Sequence, residues 1–452
     1  MALFIIIVAI CLIFQAERGI FDTVSFFRLF KRIKAEADQP ENENIQKRDL
    51  YILIPVLREQ AIIENTILDI LQLENRHFNI RIVIITTIRE KIDNPYRQPP
   101  LTSAVILDSL KRGRLKEFKK NILLIEENDA KGNMATQLNF AIRFLSSIAL
   151  PKSSYLLYNA DSVISQQILR SLANILRKDS SHFAFQQPCA YVKDMKTTAS
   201  SFLNALAIYQ SWYCLGHESS LIRKYERGIA GNFPFPRLGV IVGHGSGMTL
   251  ETNIQNGGYP TDLLTEDLTF GFILSAKSVP IFLLPSLEVA DVPEKFTDFV
   301  RQKSVWFWNY LGYFSCYKKM LRENFPHKKL FPLLLQGLGG GAYWFFSGAF
   351  IIMPILLGVV TKSGPLLIIA IASPLLFSLL PQYILLRKLP RILEQQGLKK
   401  IAGNMSGVSF FKIFPWIFLI TITDSLGPWI ASFHYIISLV SGNLPKKYKT
   451  GD

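Results

Sequence analysis

The stretch Gly257-Gly258-Tyr259-Pro260-Thr261-Asp262-Leu263-Leu264-Thr265-Glu266-Asp267-Leu268-Thr269-Phe270-Gly271-Phe272 sets two adjacent carboxylates, Glu266 and Asp267, between a turn-forming Gly-Gly-Tyr-Pro and an apolar run. The spacing predicts a helix that begins at the pair. Side chains at a helix mouth meet the positive end of the backbone dipole, which favours an ionised carboxylate and fixes its direction, as a general base requires. The same residues also suit a plain helix start, with Thr265 as N-cap and an acidic first turn. Both readings stand until the neighbouring segments are considered.

Upstream of the pair, from Leu50 to about Val292, short β-branched runs alternate with helical segments, the pattern of an α/β domain with a largely parallel sheet. Expected strands are Tyr51 to Ile54, Arg81 to Thr86, Asn121 to Glu126, Tyr155 to Asn159 and His182 to Gln186, with helices over Ile62 to Leu73, Met134 to Ser147 and Gln166 to Leu176. Ligands in such sheets sit at the carboxyl ends of the strands. Pro55, Arg58, Glu59, Thr86, Thr87 and Asp161 all fall there.

Outside that region the chain turns apolar. Of 452 residues 49% are hydrophobic yet 19% are charged, a mixture that suggests a soluble-type domain joined to membrane spans. The net charge of +15 concentrates beside the apolar stretches, at Arg28, Lys31, Arg32 and Lys34 and again at Arg387, Lys388, Arg391, Lys399 and Lys400. That placement follows the positive-inside rule, and no nucleic-acid motif accompanies it. Ala2 to Phe14 covers only about 20 Å as a helix, short of the roughly 30 Å hydrocarbon core, so tilt or thinning is expected to complete the span. Ile20 to Ile33 reads as an interfacial helix, Asp38 to Arg48 as a polar linker and Pro293 to Phe325 as aromatic, basic interfacial helices. Leu335 to Val360 and Pro365 to Leu386 are long enough to cross, and Ile413 to Val440 is one long span or a tight hairpin broken near Asp424 to Pro428. The four cysteines and six histidines show no disulfide or metal-ligand spacing, so the cysteines read as structural and no zinc site is expected.

Five segments surround the acidic pair in a fixed order. Pro55-Val56-Leu57-Arg58-Glu59 follows the first strand, and Lys131-Gly132-Asn133-Met134-Ala135-Thr136-Gln137-Leu138-Asn139 opens a helix where free N–H groups and a cation suit a phosphate. Asn159-Ala160-Asp161-Ser162 ends an apolar strand and offers the oxygen ligands that Mg or Mn prefers. In Gly243-His244-Gly245-Ser246-Gly247-Met248 the glycines allow close approach to a sugar, and in Gln302-Lys303-Ser304-Val305-Trp306 the indole offers a sugar an apolar platform. Taken singly, each has a plain reading: a loop, a turn with a solvated lysine, an Asx turn, a hydrogen-bonded histidine, an interfacial anchor.

Together, in this order, the segments from Leu50 to Asn309 resemble the processive, membrane-bound family 2 glycosyltransferases, the class containing cellulose, chitin and hyaluronan synthases. The resemblance implies a GT-A-like α/β cytoplasmic domain flanked by N- and C-terminal transmembrane helices. The expected divisions are a membrane anchor, interfacial helix and linker over 1–47, the transferase domain over 48–292, interfacial helices over 293–330, transmembrane helices over 331–441 and a basic cytoplasmic tail over 442–452. It implies Asp267 as the base with Glu266 beside it, Asp161 as the ligand of a divalent Mg or Mn, and Pro55, Glu59, Thr87, Lys131, Asn159, Gln302 and Trp306 around the nucleotide sugar, a UDP-sugar by expectation. The acceptor is a glycan or lipid, and the transfer inverts the anomeric centre. Three C-terminal crossings or so, plus one N-terminal, are few for a polymer channel, so export of a polymer would call for a homo-oligomer or a partner; membrane lipids are expected partners in their own right.

Three positions depart from the pattern. Asn159 replaces the first Asp of Asp-x-Asp, Val305 replaces the Arg of Gln-x-x-Arg-Trp, and Thr86-Thr87 stands where many relatives have an acidic residue. These lost charges support a rival reading, a non-catalytic membrane protein that keeps the fold and binds a nucleotide or glycan. A transporter fits less well, because few polar residues beyond Asp424 and His434 lie in the spans.

Overall fold

The computed structural model describes residues 2–38, 47–74, 76–94, 96, 99–150, 152–177, 182–231, 233–262 and 265–441. Most of the expected linker and the whole tail at 442–452 lie outside the described residues, as do Leu263 and Leu264.

Among the described residues there are ten strands: β1 Arg48–Pro55, β2 Phe78–Thr87, β3 Ile122–Glu127, β4 Ser154–Leu157, β5 Val163–Ile164, β6 Ala184–Gln186, β7 Cys189–Ala190, β8 Ser246–Thr249, β9 Ile281–Leu283 and β10 Glu288–Val289. Seven form one sheet in the order β3-β2-β1-β4-β8-β6-β9, and three form a small sheet in the order β5-β10-β7. In β1 the run Leu50 to Ile54 is buried without a break, as expected of a central strand covered on both faces. Its side chains alternate between two cores. Tyr51 and Leu53 join Val83 and Ile85 on one face, whereas Leu50, Ile52 and Ile54 join Ile82 and Ile84 on the other.

Four of the six pairings in the large sheet are parallel, as expected, and the exception is β8. It runs antiparallel to both neighbours, β4 and β6, so the sheet is mixed. Its Ser-Gly-Met-Thr sequence carries no β-branched alternation, and Gly247 is needed because any side chain there would strike the Tyr155 carbonyl and the Phe185 ring.

The N-terminal segment differs too. The apolar stretch and the separate interfacial helix are one continuous helix, Ala2–Ala37. No proline interrupts it, and Gly19 lets the main chain of Phe377 approach mid-helix. Its second half buries Phe26, Leu29 and Ile33 against the sheet domain. Likewise Pro293 to Phe325, expected as more than one helix, forms a single helix, Phe296–Arg322, which buries Phe299, Lys303, Phe307 and Tyr313. It packs between helices His327–Val360 and Leu426–Ser441.

Among the described residues, four helical stretches are long and apolar enough to cross a membrane: Phe4–Ala37, His327–Val360, Gly364–Gln395 and Phe410–Ser441. The last, expected as one long span or a tight hairpin broken near Asp424 to Pro428, is one apolar stretch with a break at the expected place. It breaks at Asp424-Ser425 into Phe410–Thr423 and Leu426–Ser441. The first half packs on helix Ser201–Trp212 and the second on Phe296–Arg322.

Candidate active site

A cavity of about 570 Å³ opens at the carboxyl ends of β1 and β4. Of the residues singled out in the sequence, Pro55, Glu59, Thr87, Asn159, Asp161, Glu266, Asp267, Gln302 and Trp306 all line it. Lys131 does not. It is exposed outside the cavity, its N–H donating to Asp129 Oδ1, and the lining residue of that loop is Gly132. A side chain at Gly132 would come within 2.7 Å of the Glu127 carboxylate, so the backbone there stays bare.

Asp267 is the first residue of helix Asp267–Ala276, and Glu266 occupies the cap position. The expected N-cap, Thr265, lies one residue too early; its carbonyl instead accepts from the Thr269 hydroxyl at 2.9 Å. Oδ2 of Asp267 accepts from the N–H of Gly243 at 2.9 Å and Oδ1 from the N–H of Leu268 at 2.8 Å. Two main-chain donors therefore hold the carboxylate in one orientation, beside the helix N-terminus. Gly243 stands just before β8, so the antiparallel strand is what delivers this donor.

The Asn159-to-Ser162 segment is a tight turn. The N–H of Ser162 donates to the Asn159 carbonyl at 3.2 Å, and the N–H of Asn159 to Ser162 Oγ at 3.1 Å. Beside Asp161 lies a carboxylate that no motif or spacing singles out, Asp291, which also lines the cavity. Its Oδ2 is 3.2 Å from Lys193 Nζ, and that ammonium also donates to the Asp161 carbonyl at 2.8 Å. Oδ1 of Asp291 is buried with no hydrogen-bond partner. Burial pushes the Asp291 carboxyl up to about 6, against the pull of Lys193, and Asp194 and Asp161 add to the rise.

A second network lies at the cavity floor. His244 is buried, with Nδ1 2.9 Å from Glu288 Oε2 and Nε2 3.0 Å from the Tyr191 hydroxyl. The other oxygen of Glu288 accepts from Ser162 Oγ. Burial opposes charge on the imidazole, but Glu288 outweighs it, aided by Glu218 and Asp161, and the ring titrates at about 9. Ligand atoms of Cys189, His244 and Glu288 lie within 4.8 Å of one another, a cluster that sequence spacing did not reveal. Both imidazole nitrogens and both Glu288 oxygens are already hydrogen-bonded, and burial holds the Cys189 thiol well above its usual range. His244 and Glu288 are therefore committed to a buried hydrogen-bond network, with the Cys189 thiol beside it. All four cysteines are buried and free, as expected.

The remaining walls come from two directions. Thr87 ends β2 and caps helix Ile88–Asp93, accepting from the N–H of Arg89 at 3.3 Å. The carboxylate missing from β2 stands opposite, at Glu127 of β3, in register with Thr87 and within 3.5 Å of its hydroxyl. Burial raises the Glu127 carboxyl above its usual value. From the other side, helix Phe296–Arg322 contributes Gln302, Val305, Trp306 and Asn309. Gln302 accepts from Gln210 Nε2 at 2.6 Å, and Trp306 carries Lys303 Nζ 4.1 Å from its ring centroid. Lys303 faces away from the cavity, toward Asp424 at 3.9 Å.

No curated protein sequence matches the chain. Among solved structures, the chain is similar to the mannosyltransferase PcManGT from Pyrobaculum calidifontis in complex with GDP-Man and Mn2+, with a TM-score of 0.43 and 16% identity over 91% of this chain and 99% of that one. It is also similar to S. aureus TarS 1–349, with a TM-score of 0.36 and 10% identity over 82% of this chain and 90% of that one. The same TarS piece in complex with UDP-GlcNAc gives a TM-score of 0.36 and 11% identity over the same shares. A family model described as glycosyl transferase family group 2 matches residues 156–441, more than half of the chain, from the Asn159-to-Ser162 turn through the acidic pair to the last apolar helix. The mixed α/β sheet agrees with the GT-A-like fold this implies, and the chain belongs to glycosyl transferase family group 2.

Proposed function

We propose that the protein is a membrane-bound inverting glycosyltransferase that takes a sugar from a nucleotide-sugar donor, a UDP-sugar by preference, to a glycan or lipid acceptor. The observation that carries this reading is the placement of Asp267, fixed by the Gly243 and Leu268 N–H groups, in one cavity with Asp161, Gln302 and Trp306.

In this reading Asp267 removes the proton of the acceptor hydroxyl while that oxygen forms its bond to the anomeric carbon. The bond from the anomeric carbon to the phosphate oxygen breaks, and its electron pair leaves with the nucleoside diphosphate. Attack from the face opposite the leaving group inverts the centre. Glu266 orients the acceptor, Trp306 stacks on a sugar face, and Pro55, Glu59 and Thr87 surround the nucleotide.

The residues near Asp161 fit a divalent cation: two carboxylates and a carboxamide supply hard oxygen ligands, and Asp291 has a buried oxygen with no other partner. Asp161, Asp291 and Asn159 would hold Mg or Mn, which supplies charge neutralisation on the diphosphate. Asp291 also answers the rival, non-catalytic reading in part, because it restores near Asp161 the charge that Asn159 lacks.

The basic residues that follow the first span favour a sheet domain on the cytoplasmic side. The product is a polysaccharide built processively or a lipid that receives a single sugar. The deciding experiment is nucleoside diphosphate release by the detergent-purified protein, screened over UDP- and GDP-sugars with Mg or Mn. Release with one donor that disappears in Asp267→Asn supports the enzyme and names its donor. A folded protein that releases nothing with any donor in the presence of membrane lipids removes the reading in favour of the non-catalytic one.

A further inference from the structure

Five carboxylates line the cavity, Glu59, Asp161, Glu266, Asp267 and Asp291, against the guanidinium of Arg89 and the imidazole of His244. A divalent cation at Asp161 would offset part of that field, and a diphosphate entering it gains further from hydrogen-bond donors built into the walls. Val305 lines the cavity and supplies none.

Segments remote in sequence supply one instead. Glu288 is fully buried on β10 and accepts from Nδ1 of His244, which sits just before β8. His244 in turn meets, through Nε2, the hydroxyl of Tyr191, just past β7. In the imidazolium form both ring nitrogens carry protons, so Nε2–H donates to the phenolic oxygen and the phenolic O–H must turn elsewhere. Among the described residues that hydroxyl has no other hydrogen-bond partner, and Tyr191 and His244 both line the cavity beside Trp306, whose ring centroid is 6.4 Å from that of Tyr191.

We propose that Tyr191, backed by His244 and Glu288, donates its phenolic O–H to the diphosphate of the nucleotide-sugar donor and is a catalytic residue of this chain. The proposal rests on the glycosyltransferase reading above. The proton stays on the phenol, which burial holds well above its ordinary range, so Tyr191 stabilises the charge arriving on the leaving group and transfers nothing. His244 and Glu288 are positioning residues. The carboxylate fixes the imidazole, and the imidazolium both orients and polarises the phenol. The groups whose charge acts on His244 are Glu288, Glu218 and Asp161, all of which favour its charged form.

The test uses the full chain in detergent. UDP and GDP, each with Mn2+, are titrated calorimetrically, with uridine and guanosine as competitors that lack the diphosphate. In Tyr191→Phe the diphosphate that binds wild type loses about 10- to 100-fold in affinity, while its nucleoside is affected less than about twofold. His244→Gln shows the same split to a smaller degree. Turnover in Tyr191→Phe falls through kcat more than through KM, which a loosened fold would not select. Wild-type affinity for the diphosphate in Tyr191→Phe overturns the proposal alone, and so does an equal loss of nucleoside and diphosphate. Absence of diphosphate binding by the wild type itself overturns the glycosyltransferase reading and this one with it.

Discussion

Gly243 and Asp267 are joined by a 2.9 Å hydrogen bond from the main-chain N–H of the one to Oδ2 of the other, across 24 residues of sequence. The bond makes the carboxylate an oriented acceptor before any substrate arrives. Asp267→Asn keeps the shape but removes the basic oxygen pair. Turnover is expected to fall by about 100-fold or more, with nucleoside diphosphate affinity close to wild type. Steady-state kinetics beside calorimetry checks this, and near-normal turnover would remove Asp267 from the base role.

Asp161→Ala takes a carboxylate from the cation site while leaving Asp291 and Asn159. Mn2+ affinity measured in the presence of a nucleoside diphosphate is expected to drop by at least about tenfold, with a smaller loss in Asp291→Asn. If Asp291→Asn binds Mn2+ like the wild type, Asp291 has no part in the site.

Lys303 and Asp424 link the cavity wall to the bend in the last apolar stretch. Lys303 is 1% exposed, and Asp424 also accepts from Trp344 Nε1 at 2.5 Å. Removing one charge leaves the other buried without its countercharge, at a cost of about 3–5 kcal/mol. Asp424→Asn should therefore lower the melting temperature by roughly 5–10 °C, and adding Lys303→Met should recover most of that. Melting curves in detergent read the cycle, and simple additivity of the two changes would mean the pair is not coupled.

The imidazole of His244 has its folded-state value raised from an ordinary 6.5 to about 9. Its contribution to stability is thus fully present below about 6.5 and is lost as pH rises through about 9. Melting temperature should fall across that window by several degrees, on the order set by a few kcal/mol. His244→Gln should flatten this part of the profile, and an unchanged profile would show that the imidazolium is not the stabilised form.

Much of this site is legible in the sequence because its parts are local. Strands β1 to β3 declare themselves by β-branched runs and β4 by an apolar one, and the acidic pair, the Asn-Ala-Asp turn and the Gln302-to-Trp306 segment each sit in a few consecutive residues. What was hidden is what the sheet brings together. Tyr191, His244, Glu288 and Asp291 come from three separate segments and share no spacing. They converge because β7 and β10 pair in the small sheet while β8 enters the large one antiparallel. The Ser-Gly-Met-Thr of β8 has no strand pattern, so neither the strand nor the donor it delivers to Asp267 could be read in advance. The break at Asp424 was legible, but its ion pair with Lys303, remote in sequence, was not.

The helix Phe296–Arg322 has a practical consequence for anyone who would work with the sheet domain alone. A fragment that stops near residue 292 loses Gln302, Val305, Trp306 and Asn309, the whole wall that this helix gives the cavity. It also bares the buried faces of helix Ser201–Trp212 and of Asp267–Ala276, which pack against segments beyond that point. Such a fragment would be a poor reporter of the intact molecule: soluble expression, if achieved, would come with an open-sided cleft and apolar surface prone to self-association. Crystallisation, ligand screening and inhibitor design therefore belong on the full-length chain in a lipid or detergent environment.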